Sequence, residues 1–153
     1  MALSHSPRIV RDGLALYLDA ANTKSYPGSG TTWTDISGRG NIGTLTNGPT
    51  FSSDNLGNIA FDGSNDYVDA SAVLSAGQQK YTLSAWWNIT NNPSGAAQVV
   101  MEQNTSSSVT HRRACILITP GGGGAWGFNG QSNDNHDEVP IRVGQWVNGV
   151  VTI

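Results

Sequence analysis

The chain is poor in the things that would tie it to metal staples, nucleic acid or a bilayer. One cysteine, Cys115, occurs among 153 residues, so no disulfide framework exists and nothing in the chain calls for an oxidising compartment. It sits in the apolar run Ala114-Cys115-Ile116-Leu117-Ile118, where a free thiol behaves as a small hydrophobe. Charged residues make up only 12%, about half the usual share. Solubility therefore has to come from neutral polar side chains. The net charge is −3 and Arg112-Arg113 is the only adjacent basic pair, which excludes the cationic footprint of a nucleic-acid binder. The apolar runs reach about five residues, against the roughly 20 that span a bilayer. Met1 to Pro7 carries neither a charged n-region nor an apolar h-region, so no signal peptide is expected. The expectation is a protein made in a cytoplasm, kept in solution, with no membrane partner.

What the chain does have is short alternating runs between turn-forming clusters. It holds 19 Gly, and the length is that of about one domain with a core of its own. The organising stretch is 57–89. Ile59-Ala60-Phe61 alternates large and small side chains and stops at Asp62-Gly63-Ser64-Asn65-Asp66, a polar turn tolerant of positive φ. After Tyr67-Val68, the run Tyr81-Thr82-Leu83-Ser84-Ala85-Trp86-Trp87 puts Tyr81, Leu83, Ala85 and Trp87 on one strand face and Thr82, Ser84 and Trp86 on the other. Two consecutive Trp predict burial of both faces, hence a sheet on each side.

Further strands are expected over 14–18, 43–46, 97–102, 113–119, 125–130 and 147–153, with 50–52 pairing to 43–46. A long loop is expected over 23–41, anchored by Trp33. Strands at intervals of about ten residues with turn signals between them predict an all-β, two-sheet antiparallel β-sandwich or jelly roll. A lead-in arm over 1–12 precedes the sandwich domain over 13–153.

The segments Gly13-Leu14 to Asn22, Trp33-Thr34-Asp35-Ile36-Ser37-Gly38, Gly43 to Pro49, Ile59 to Val68 and Tyr81 to Trp86, in this order and spacing, resemble the opening strands of laminin-G-like domains of the concanavalin A-like lectin/glucanase superfamily. The lead-in Ser4 to Leu14 together with Tyr26-Pro27-Gly28-Ser29-Gly30-Thr31 is similar to structural proteins of tailed bacteriophages, cyanophages among them. Such domains continue beyond the strand that resembles Gln145 to Ile153, so the resemblance implies a fold lacking its last strands. Either the parent protein is longer, or a neighbouring subunit adds a strand to the open ladder.

The resemblance frames three kinds of site. Sandwich glucanases of this superfamily align Glu-x-Asp-x-x-Glu carboxylates along one strand, as nucleophile and acid. Here the only glutamates are Glu102 and Glu138, in no such pattern, and no Gly-x-Ser-x-Gly elbow or Ser-His-Asp spacing occurs. His111 and Cys115 would sit on one face of a strand some 13 Å apart at about 3.3 Å per residue, too far to act together. No enzyme activity is expected.

Laminin-G-like domains often hold a calcium ion at the sandwich rim, and calcium takes six to eight oxygen ligands. Asp62, Ser64 and Asp66, with Asn65, form one candidate set. Asp134, Asp137 and Glu138, with Asn135, form another. The alternative is that these residues simply build turns.

For glycan binding, Trp126, Phe128, Asn129 and Asp134 have the composition of a lectin site, with an aromatic face beside amides and Gly backbone donors. The alternative is that Trp126 and Phe128 mark the core face of a strand. Trp33 and Tyr26 are the exposed aromatic candidates on the long loop, whereas Trp86, Trp87 and Trp146 are expected in the core. The expected function is a phage virion structural protein of the capsid, neck or tail surface, docking on other virion proteins with some adhesion to host glycans. The alternative is a carbohydrate-binding, lectin-like module with or without calcium. A glycoside hydrolase ranks third.

Overall fold

Short alternating segments without helical periodicity leave the backbone one way to satisfy its polar groups, which is pairing between strands. In the computed structural model, which describes residues 9–70, 73–74, 80–91, 98–103, 114–119, 125–129, 139–140 and 142–152, that is what the chain does. The fold is all-β and antiparallel, with a single helical turn (3-10, Asp54–Leu56) among the described residues. The expected fold class is confirmed. The chain divides into two compact units, Met1–Val73 and Leu74–Ile153.

The first unit holds β1 (Thr32–Thr34), β2 (Ile42–Thr46), β3 (Thr50–Ser52), β4 (Asn58–Ala60) and β5 (Tyr67–Asp69). The sheet order is β1-β2-β5, and β3 pairs with β4 as a separate hairpin. Three expectations change here. The segment 50–52 pairs with 58–60 and not with 43–46, the two being joined through Asn47 (φ 69°) and Gly48 (φ 117°). The loop expected over 23–41 contains β1, which pairs with β2 in the register Trp33↔Gly43. The segment 14–18 joins no ladder.

The reason for this last difference is that a side chain takes over the work of a neighbouring strand. The Asp35 carboxylate accepts from Tyr17 N–H at 2.9 Å, Ser37 N–H at 2.8 Å, the Ser37 hydroxyl at 2.7 Å and Asn41 Nδ2 at 3.2 Å. Tyr17 C=O in turn accepts from Ile36 N–H at 3.0 Å. Ser25, fully buried, donates to Thr34 C=O at 2.7 Å and accepts from Asp19 N–H at 3.0 Å. The extended segment is thus held by buried polar groups that are all paired, the condition for burying them at little cost. Its apolar side reaches the sheet at Gly43, where a Cβ would lie 3.0 Å from Leu18 and 3.1 Å from Val68.

The second unit holds β6 (Thr82–Asn88), β7 (Gln98–Gln103), β8 (Ala114–Thr119), β9 (Ala125–Asn129), β10 (Val139–Pro140) and β11 (Trp146–Thr152). One sheet runs β10-β9-β8-β7 and the other pairs β6 with β11 over seven residues, Trp146↔Asn88 to Thr152↔Thr82. Trp87 and Val151 form a buried core, with Ala85, Ile89, Val147 and Val100 packed against it. Val100 comes from the other sheet. It is the extra residue of a β-bulge, since Val99 pairs with Leu117 and Met101 with Ile116. A bulge re-aims the side chain it carries, and here that side chain joins the core between the two sheets.

Two consequences are measurable. Burial pushes the Asp35 carboxyl up, but the hydrogen bonds from Ser37, Tyr17 and Asn41 outweigh it and hold it below its ordinary range. A carboxylate depressed in the folded state contributes stability above its unfolded pKa of about 3.9, and that contribution is lost as pH falls through the lower folded value. Asp35→Asn should therefore lower stability at pH 7 by about 2–3 kcal/mol, and urea titrations at decreasing pH should show the gap to wild type closing below pH ~4. Gly57 has φ 125°, and a Cβ there would lie 2.7 Å from Ala20 C=O. Gly57→Ala should cost about 2–3 kcal/mol in the same titration.

Candidate functional site

Along β6 the side chains alternate, and the ladder with β11 aligns the two alternations. Leu83, Ala85 and Trp87 lie on the inner side with Val147, Gly149 and Val151 as their cross-strand partners. The outer side carries four facing pairs: Thr82 with Thr152, Ser84 with Val150, Trp86 with Asn148, and Asn88 with Trp146. None of the eight is charged. Trp86 is 69% exposed and Trp146 39%, which corrects the expectation that both belong to the core. Only one face of β6 is covered, so the argument that two consecutive Trp require a sheet on each side fails. Trp86 shares its face with Thr82 and Ser84, and that polar face is the exposed one.

That outer face is ordered by its own polar groups. Thr82 and Thr152 hydroxyls lie 3.0 Å apart. Asn148 Nδ2 donates to Ala85 C=O at 3.0 Å and to Ser84 Oγ at 3.4 Å. Both bonds use the amide nitrogen, leaving the amide oxygen uncommitted by them. Trp86 and Trp146 are diagonal neighbours across the ladder, a spacing of roughly 7–8 Å between strands. Neither indole stacks on another ring among the described residues.

The loop aromatics behave differently from their expected role. Tyr26 is 3% exposed and its hydroxyl donates to Gly30 C=O at 2.7 Å. Trp33 meets it edge-on at 6.2 Å and Phe51 lies 5.6 Å away on a tilt. Trp33 Nε1 is buried without a partner among the described residues. These rings pack together in the first unit, Tyr26 buried and Trp33 and Phe51 half-buried. This corrects the expected exposure of Tyr26. The physical reason is that β1 draws the loop into the sheet.

At the turn 62–66, Asp62 Oδ1 accepts from Ser64 N–H at 2.8 Å and from Asn65 N–H at 3.4 Å, and Asp66 Oδ2 accepts from Asp62 N–H at 3.0 Å. Asn47 Nδ2 donates to Asn65 C=O at 2.7 Å. The carboxylates of Asp62 and Asp66 thus organise the turn, and Ser64 contributes its backbone. Among the described residues no three His, Cys, Asp or Glu side chains gather into a metal-binding group.

Trp126, Phe128 and Asn129 lie in β9, opposite Ile118, Ile116 and Cys115 of β8. Asp134, Asp137 and Glu138 lie outside the described residues. Glu102 is exposed on β7, opposite Cys115. Among the described residues, no helix is long and apolar enough to cross a membrane.

Comparison with known proteins returns one relationship. Residues 62–153, more than half of the chain, match the family described as the concanavalin A-like lectin/glucanases superfamily. No curated protein and no solved structure matches the chain. The match begins at the turn 62–66 and runs through β5, the two-Trp strand, the four-stranded sheet and β11. With the antiparallel sandwich core of the second unit, it places this chain in the concanavalin A-like lectin/glucanase superfamily, as a laminin G-like domain.

Proposed function

We infer that this chain is a non-catalytic glycan-recognition module. The superfamily's name joins two activities, glycan binding and glycan cleavage, and a fold shared by both leaves the choice to the side chains. Cleavage needs two carboxyls about 5–5.5 Å apart in retaining enzymes, or roughly 6.5–9.5 Å in inverting ones. The chain offers two glutamates, 36 positions apart, one of them exposed on β7. The observation that carries the reading is the family match, taken with an exposed, aromatic, uncharged face and a sequence without the Glu-x-Asp-x-x-Glu pattern. The virion-surface role expected from the sequence would add protein partners to the same module.

Two measurements test the reading. On an array of neutral and acidic oligosaccharides the protein should retain a subset of glycans, with dissociation constants in the micromolar to millimolar range, about −4 to −8 kcal/mol. It should release no reducing sugar from them. Retention of nothing, or steady release of sugar, would overturn it. Repeating the titration in EDTA tests the calcium expected at the acidic stretches. A tenfold or greater loss of affinity, restored by calcium, would assign an ion to glycan binding; unchanged affinity would remove it from the proposal.

A further inference from the structure

Large aromatic side chains that a fold leaves in water mark surfaces where something binds, and Trp is the side chain most enriched at binding hot spots. We propose that the outer face of the β6–β11 ladder is the glycan site, and that it takes a neutral oligosaccharide stacked on Trp86 and Trp146. The proposal rests on the glycan-recognition reading above and assigns it a place and a ligand class.

Three features of the face select that ligand. Its eight side chains carry no charge, so a uronate or sialic acid finds no cation among them to pair with, and the nucleic-acid alternative, base stacking beside a cationic groove, finds none among them either. Its indoles offer flat apolar surface, the complement of the C–H face of a pyranose. Asn148, opposite Trp86, and Ser84, next along the same face, supply an amide and a hydroxyl to complement the ring hydroxyls. Asn148 is held in place by Ser84 and Ala85, so its oxygen meets a ligand without a further loss of rotamer freedom. The diagonal Trp pair, roughly 7–8 Å apart across the strands, engages adjacent parts of an extended chain better than one isolated ring. An aromatic anchor with a few fixed polar groups is the usual make-up of a small-ligand site; here it lies on an open strand face.

The test uses intrinsic Trp fluorescence and calorimetry on the whole chain, with neutral β- and α-linked gluco-oligosaccharides and uronate-containing oligosaccharides as probes. Variants are Trp86→Ala, Trp146→Ala and, as an exposed apolar control in the other unit, Leu56→Ser. Trp86 stands mostly in water, so its replacement should leave the thermal midpoint within a few degrees of wild type. The expected result is binding of a neutral oligosaccharide that weakens at least tenfold in Trp86→Ala, at least threefold in Trp146→Ala, and not in Leu56→Ser. Wild-type binding that survives both Trp substitutions would place the site elsewhere and overturn this proposal, while leaving the glycan reading intact. Preference for the uronate probes would overturn the neutral-ligand assignment. Failure of wild type to bind any of these probes would overturn this proposal, while the array decides the glycan reading. Sedimentation velocity on the same samples covers the remaining occupant: self-association abolished by Trp86→Ala would make the face a protein interface and overturn the proposal.

Discussion

The register of β6 on β11 is the constraint from which the rest of the second unit follows. Because successive side chains point to opposite sides of a strand, one choice of pairing decides all fourteen positions at once. In the observed register Leu83, Trp87 and Val151 meet the core, while Thr82, Ser84, Asn148 and Thr152 face water and Asn88 is half-buried. A slip by one residue would turn one strand over relative to the other, burying either Thr82 and Ser84 or Asn148 and Thr152 and exposing that strand's core residues in their place. The same register puts Thr opposite Thr and Asn148 within reach of Ser84, so the outer face supports the pairing that the inner face selects. The bulge at Val100 matches the second sheet to this core.

The first unit solves the same problem by other means. Its strands are short, between three and five residues, and they supply few ladder bonds. Buried polar side chains make up the difference. Asp35 gathers the backbone of 17 and 37 and the side chains of Ser37 and Asn41, while Ser25 links Asp19 to Thr34. Networks of this kind specify one arrangement because leaving any member unpaired is costly in a low-dielectric interior. The aromatic trio of Tyr26, Trp33 and Phe51 fills the space that short strands leave open.

The fold class and most strand positions were legible because alternation and turn chemistry are local properties. β6 shows this well: Leu83, Ala85 and Trp87 were assigned to one face from their spacing alone, and that face is the buried one. What sequence could not supply was anything fixed by distant partners. Nothing local to 14–18 distinguishes a ladder strand from an extended segment held by Asp35. Tyr26 and Trp33 looked exposed because their loop is polar, and only the pairing of β1 with β2 draws them inward. Trp86 was misassigned for the opposite reason, its hydrophobicity outweighing the Thr and Ser that share its face. A comparison of both strands by parity, with Asn148 and Thr152 opposite Trp86 and Thr82, would have found it. The turn at 62–66 has the oxygen-rich composition of a calcium loop and equally that of a turn, and the backbone hydrogen bonds to Asp62 and Asp66 are invisible to spacing.

The β6–β11 ladder also has a kinetic side. Thr82 and Thr152 are 70 residues apart in the chain, and between them lie all the other strands of the second unit. Closing so long a loop is entropically slow, and contacts of large sequence separation are the ones that delay folding. Until β11 arrives, β6 waits with Trp86 and Trp87 side by side and an unpaired backbone edge. In a cell, where synthesis delivers β6 well before β11, this is the stretch with the longest exposure to wrong partners. The pairing that gives the unit its two faces thus cannot begin until synthesis has passed β7, β8, β9 and β10.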